Sequence, residues 1–354
     1  GPSISESETR EDMGLKQQIL SFNRMEFLQQ CLIKKVGHQV AGRLIHAKRQ
    51  STRSQQQIAW SALQSWLQDQ EDELDESAIL RFLIYLRESK NLATNTILNY
   101  KASLALPLKL GADMDLSSWA FKELSQALFL EKPNSAKRIP SWDLDKVLCL
   151  LKSQKFRLRN ISKYLLLQKT IFLTALASGN RASELASLDA SAIHFDEKRK
   201  EVRLPVLPGF IFKNQRLGRT PPNIVIPALT EGPIELCPVN SLRKYWNSLT
   251  TKEGPLFRNS NSERPLHASS ISKLLCEVIN EADPGKVPQG HDVRRVSTSL
   301  AWTRGLAPTD IASRAFWRTS STFIKRYLHL QNSSINCVAL NTCEARSSRQ
   351  RGNN

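Results

Sequence analysis

Between Gly290 and Tyr327 the chain reads GHDVRRVSTSLAWTRGLAPTDIASRAFWRTSSTFIKRY, a stretch rich in side chains that can handle a phosphate ester. His291 and Arg294 are three residues apart, so on a helix they project from one face. Arginine can grip a phosphate through two parallel N–H groups, and a neighbouring histidine can exchange a proton with it. Tyr327 is the last tyrosine of the chain, with none between it and Tyr245, and a phenol can act as a covalent nucleophile. Together with Trp317, these residues describe a site for opening a phosphodiester bond.

Each motif is weak alone. HxxR arises by chance in many chains, and Tyr327 beside Phe323 and Ile324, taken singly, reads first as a packed helix tyrosine. Trp317 taken singly reads as a core residue. Far upstream, Arg181 follows Ser178-Gly179 at the end of an apolar helix, with Glu184 three residues on. By itself that pair reads as a surface ion pair.

Composition narrows the partners. The 354 residues are enough for about two domains. The formal charge of +17 and a pI near 9.8 favour a polyanion, with nucleic acid first. No basic amphipathic helix, long apolar span or lipidation signal points to a membrane. Six scattered cysteines form no CxxC pair, which fits neither a zinc site nor a small secreted scaffold. No signal peptide opens the chain, and Gly1-Pro2-Ser3 reads as a scar of tag removal. The expectation is an intracellular, reducing compartment and, for a DNA-binding protein, the nucleus.

The elements that must position these residues fall into two groups. Residues 1–50 form a polar, basic segment with room for one or two helices around Phe22–Ile33. From 51 to 130 the pattern is all-helical. STRSQQQIAWSALQSWLQD sets Ile58, Leu63, Trp66 and Leu67 on one stripe. SAILRFLIYLRESK follows, with Ser77 as cap and Ile79, Leu83 and Leu86 inward. TNTILNYKASLALPL begins at Thr94 as a candidate cap, carries Ile97, Tyr100 and Leu104 in register, and should end or kink at Pro107. SWAFKELSQALFL closes the segment. Residues 131–141, with prolines and basic residues, read as a linker. The second domain, 142–330, opens with helices at about 142–152 and 160–178. Strands are expected in KEVRLPVLP and NIVIPAL, then helices in LRKYWNSL and HASSISKLLCEVINEA. Residues 331–354 form a polar tail that could dock on a neighbouring subunit.

In order and spacing, the set Arg181, Glu184, Lys213, His291, Arg294, Trp317 and Tyr327 resembles the tyrosine recombinase family of integrase-like enzymes. That family's pattern is Arg with Glu three later, a hairpin Lys, HxxR, His or Trp, and Tyr. The resemblance runs from about Ser51 to Leu330. LATNTILNYKASL, RIPSWDLDKVL, CPVNSLRKYW and HDVRRVSTSLAWTRG look most like the recombinases of DIRS/Ngaro-type retrotransposons, with Crypton-type elements as the neighbouring alternative. It implies a mainly α fold with a small β-sheet: an N-terminal helical core-binding domain that clamps DNA, then a mixed α/β catalytic domain. Two features depart from the pattern. Trp317 and Tyr327 are separated by one residue more than is usual, and the lysine lies in a long connection, GFIFKNQRLGR, with Lys198 and Lys200 as competitors.

The resemblance further implies a chemistry. Tyr327 attacks a DNA phosphate in line, expels the 5′-hydroxyl and leaves a 3′-phosphotyrosyl link. Arg181 and Arg294 hold the non-bridging oxygens, and Lys213 protonates the departing oxygen. His291 assists proton transfer, Trp317 donates its indole N–H and buttresses the site, and Glu184 orients its neighbours. Rejoining needs no cofactor, metal or ATP, and no GxxxxGK[ST] loop is present. The partners implied are double-stranded DNA, a homodimer on one site and a homotetramer in synapsis. Two rivals remain: a metal-dependent nuclease, which needs converging carboxylates, and a non-catalytic sequence-specific DNA-binding protein derived from a recombinase.

Overall fold

A computed structural model describes residues 14–70, 73–133, 140–221 and 223–321. The chain divides into two compact units, 1–136 and 137–354. The expected linker falls largely on residues 134–139 and the tail on 331–354, both outside the described residues.

Among the described residues the first unit holds seven helices: α1 (Leu15–Ser21), α2 (Arg24–Val36), α3 (His38–Leu44), α4 (Gln50–Gln68), α5 (Glu76–Glu88), α6 (Thr94–Ala112) and α7 (Trp119–Glu131). The segment before residue 51 is therefore more helical than its weak periodicity suggests, and it shares the unit's core. Ile19 and Phe27 pack with Trp60, Leu63, Phe82 and Leu104. The Asn23–Glu26 capping box starts α2. The Trp60 indole donates to the Phe22 carbonyl at 3.0 Å, fastening the α1–α2 turn to α4.

Several local expectations are corrected. Ile58 points outward, and the buried stripe of α4 is Ala59, Trp60, Leu63, Trp66 and Leu67. Residues 58 and 63 are five apart, ~140° round a helix, whereas 60, 63 and 67 share a face. Helix α5 is capped by Asp75, whose carboxylate accepts the Ala78 N–H at 2.7 Å, not by Ser77. Thr94 does not cap α6; its hydroxyl, with one proton to donate, lies 2.9 Å from each of two carbonyls closing α7, Leu128 O and Lys132 O. Pro107 lies inside α6, which runs on to Ala112. A proline there leaves the carbonyl four residues back without its helical donor. That carbonyl, Ser103 O, accepts from Nε of buried Arg24 at 3.1 Å.

The second unit contains α8 (Leu144–Lys152), α9 (Lys163–Ser178), α10 (Ala182–Ala186), β1 (His194–Asp196), β2 (Glu201–Leu204), β3 (Ile224–Pro227), α11 (Pro238–Asn247), α12 (Ala268–Ala282), α13 (Asp292–Thr303) and α14 (Pro308–Arg314). The sheet is antiparallel in the order β1-β2-β3, with Phe195 opposite Val202 and Val202 opposite Ile226. Its first strand, three residues long, was not expected from the sequence. Helix α9 is the spine of the unit. Every residue from Leu166 to Ala175 is buried, as its near-continuous apolar run requires. Even Lys169 is enclosed, with Nζ donating to Leu151 O (2.9 Å) and Phe156 O (2.8 Å). Burial lowers its pKa to about 8. The observed fold is mainly helical with a small sheet.

Candidate active site

The site is built where α9 stops. Gly179 ends that helix in the left-handed region (φ +63°), its N–H donating to Ala175 O at 2.9 Å. The reversal makes Arg181 the extended residue before α10. Glu184, one turn into α10, reaches back: Oε2 accepts the Arg181 backbone N–H at 2.8 Å and Oε1 accepts Arg181 Nη1 at 2.6 Å. Glu184 is 2 % exposed, so the Arg181–Glu184 pair is not the surface pair that its spacing alone suggests.

Arg294 enters from α13 and is 1 % exposed. Its Nη1 lies 2.6 Å from Gly179 O and 3.5 Å from Glu184 Oε2, and its Nη2 donates to Ala315 O at 2.6 Å. One carboxylate thus joins two guanidiniums from distant parts of the chain. The Trp317 ring, also buried, sits 4.9 Å from the Arg294 guanidinium carbon, a cation–π contact. Arg181 uses only Nη1 within the described residues, which leaves its Nε and Nη2 as donors for an incoming oxyanion.

Helix α13 begins after Gly290, where a Cβ would fall 2.5 Å from Ser272 Cβ, so the chain passes against α12 only because no side chain is there. Asp292 Oδ2 accepts the Gln289 N–H at 2.9 Å, and its Oδ1 is 3.7 Å from Arg295. His291 immediately precedes the helix. Its pKa is pushed down to about 4, first by burial and then by the positive charges of Arg294, Arg295, Arg181 and Lys213. The imidazole is neutral at pH 7, and the surrounding positive charge makes it a weaker base than an ordinary histidine.

Lys213 lies in the β2–β3 connection and is exposed, with no hydrogen bond or ion pair among the described residues, yet its charge acts on His291. Lys198 and Lys200 sit in the turn between β1 and β2. The loop carrying Lys213 is fastened to the turn after α14. Asn214 Nδ2 donates to Phe316 O at 2.8 Å, and Arg219 Nη2 donates to Trp317 O at 2.6 Å. Phe316 itself has φ +51°, a conformation that costs a residue with a Cβ about 1–2 kcal/mol.

Contacts therefore join Arg181, Glu184, Arg294 and Trp317, and the charges of Arg181, Arg294 and Lys213 act on His291. Tyr327 lies outside the described residues. Asn214, Arg219 and Phe316 were not singled out from the sequence: they lie in irregular segments where no spacing marks them. Among the described residues no three His, Cys, Asp or Glu side chains gather to hold a metal ion, and no helix is long and apolar enough to cross a membrane.

No family model and no curated protein matches the chain. Solved structures do. The chain is similar to the Tn1549 transposon integrase in complex with transposon right end DNA, at 13% identity and a TM-score of 0.57, covering 91% of this chain and 98% of that one. It is similar to the XerH site-specific recombinase in a post-cleavage complex with palindromic difH substrate, at 12% identity and a TM-score of 0.59, covering 92% of each chain. A third, the Tn1549 integrase with circular intermediate DNA, gives 15% identity and 0.57 over 88% of this chain and 98% of that one. The chain has the fold of these integrases and recombinases, the fold that the sequence resemblance implies.

Proposed function

We propose that this protein is a tyrosine recombinase that cuts and rejoins double-stranded DNA through a 3′-phosphotyrosyl intermediate at Tyr327, without metal or ATP. The observation that carries this reading is the convergence of Arg181 and Arg294 on Glu184, and the charges of both arginines and of Lys213 acting on His291 support it. In the proposed reaction the Tyr327 oxygen bonds to phosphorus as the bond to the 5′-oxygen breaks. The phenolic proton passes to neutral His291, and the 5′-oxygen takes a proton from the Lys213 ammonium. Arg181 offers its remaining N–H groups to the phosphate oxygens, while Arg294, held by Glu184 and backed by Trp317, supplies positive charge at their side. Two duplexes held by a tetramer, with a dimer on each, would let the 5′-hydroxyl of one attack the link on the other. Integration of a DIRS/Ngaro- or Crypton-type mobile element in the nucleus is the biological setting that fits the resembling phrases.

The test uses short nicked duplexes with a randomised core, incubated with the full chain in EDTA and partitioned for SDS-resistant adducts. Adducts that vanish in Tyr327→Phe support the reading. Cleavage that dies in EDTA would point to a metal enzyme, and tight binding with no adduct to a non-catalytic DNA-binding protein.

A further inference from the structure

The turn that follows α14 has an aromatic residue where glycine is usual. Trp317 N–H donates to Ala312 O at 2.8 Å and Phe316 N–H to Ser313 O at 3.0 Å, the pair of bonds that closes a helix through a left-handed residue. Here that residue is Phe316, whose Cβ disfavours it. Such a conformation persists only where its surroundings enforce it. The enforcing groups come from one short stretch about a hundred residues upstream. The Phe212 ring meets the Phe316 ring edge-on, centroids 5.7 Å apart at 79°. The Arg219 guanidinium carbon lies 4.4 Å from the centroid of the same ring, and Arg219 and Asn214 hold the carbonyls of Trp317 and Phe316.

Lys213 sits between Phe212 and Asn214, and the other side of the same turn grips Arg294 through Ala315 O and the Trp317 ring. One strained turn therefore touches both the loop of the lysine and the buried arginine. We propose that Asn214, Arg219 and Phe316 form a clasp that holds Lys213 in register with Arg294 and His291, making Asn214 and Phe316 positioning residues for the proton donor. The inference rests on the recombinase reading above. The connection between β2 and β3 is long and otherwise irregular, so without the clasp an exposed lysine would sample many positions. The step it serves is balanced: the Lys213 ammonium gives its proton to the 5′-oxygen as the P–O bond breaks, and the amine recovers it from the attacking 5′-hydroxyl on rejoining.

A sulfur substitution separates positioning from general damage. With sulfur at the bridging 5′ position of a duplex the leaving group departs as a thiolate, whose conjugate acid titrates at about 8.5, and it needs no proton donor. Single-turnover adduct formation is measured at saturating concentrations of a nicked duplex recovered from the randomised pool and of its sulfur twin. Melting temperature and DNA affinity are measured alongside. Asn214→Ala should slow the oxygen substrate by about 10- to 100-fold, the scale of a small misplacement, and leave affinity unchanged. The sulfur twin should restore it, as it should restore Lys213→Ala. Phe316→Gly, which suits the left-handed backbone but loses the ring contacts, should show the same pattern more weakly. Asn214→Ala at full rate on oxygen, or slowed equally on both substrates, overturns the clasp and leaves the recombinase reading standing. Lys213→Ala unrepaired by sulfur overturns the clasp through its lysine. No adduct from the unaltered protein on either substrate overturns the recombinase reading and the clasp with it.

Discussion

Glu184 Oε2 and Arg294 Nη1 stand 3.5 Å apart, although the two residues are 110 positions apart in the chain and both are almost wholly buried. The same carboxylate holds Arg181 through its other oxygen and through the backbone N–H. A carboxylate shared by two cations leaves a net positive centre. It also makes Glu184 the residue on which the alignment of both arginines depends.

Replacing Glu184 should therefore be severe. Removing one partner of a buried ion pair leaves an uncompensated charge and costs about 3–5 kcal/mol. Glu184→Ala should lower the melting temperature by many degrees. Glu184→Gln, which keeps an accepting oxygen, should lower it less. Thermal unfolding monitored by circular dichroism checks both.

The depressed pKa of His291 gives a pH dependence with a fixed sign. Its folded value, about 4, lies below the ordinary 6.5, so the unfolded chain binds more protons between those values. The contribution of His291 to stability is complete above pH 6.5 and is lost as the pH falls toward 4. Urea midpoints measured from pH 7 to 4.5 should fall more steeply for the unaltered protein than for His291→Asn. A bound polyanion offsets the positive field, so saturating DNA should raise the His291 pKa and flatten the slope.

Arg181 has donors to offer, and its role is separable from affinity. Arg181→Ala should retain salt-sensitive DNA binding, because many of the fifty Lys and Arg can contact the backbone. Adduct formation should fall by about two to three powers of ten, the usual effect of removing one oxyanion donor. Filter binding at several salt concentrations and the single-turnover rate report the two separately.

Arg24 and Pro107 make a coupled pair in the helical unit. Arg24→Leu leaves the Ser103 carbonyl without its donor and should destabilise the protein by about 1–3 kcal/mol. Pro107→Ala restores a backbone N–H one helical turn beyond that carbonyl. The double variant should be less destabilised than the two single effects sum to, a coupling that a denaturation cycle reads directly.

Helices with a clear apolar face, such as α5 with Ile79, Leu83 and Leu86, were legible from spacing, and α9 from its apolar run. Arg181, Glu184 and His291–Arg294 were legible by order, since types and intervals survive in sequence. Their depth was not. Nothing in RASE shows that Glu184 is buried, or that Arg294 from α13 will reach it. That α6 runs on past Pro107 was not legible, because the donor to Ser103 O comes from Arg24, a contact between α2 and α6. The clasp at Phe316 was invisible for a related reason: Asn214 and Arg219 act on backbone carbonyls, and carbonyls leave no mark in a sequence. The short β1 strand gave too few residues for an alternation to register.

The central claim is a covalent bond between Tyr327 and DNA, and peptide mapping of the SDS-resistant adduct tests it most directly. After nuclease digestion in EDTA, mass spectrometry should find a nucleotide joined through its 3′-phosphate to Tyr327, and Tyr327→Phe should yield no adduct. A nucleotide attached at another residue, or adducts persisting in Tyr327→Phe, would contradict the account.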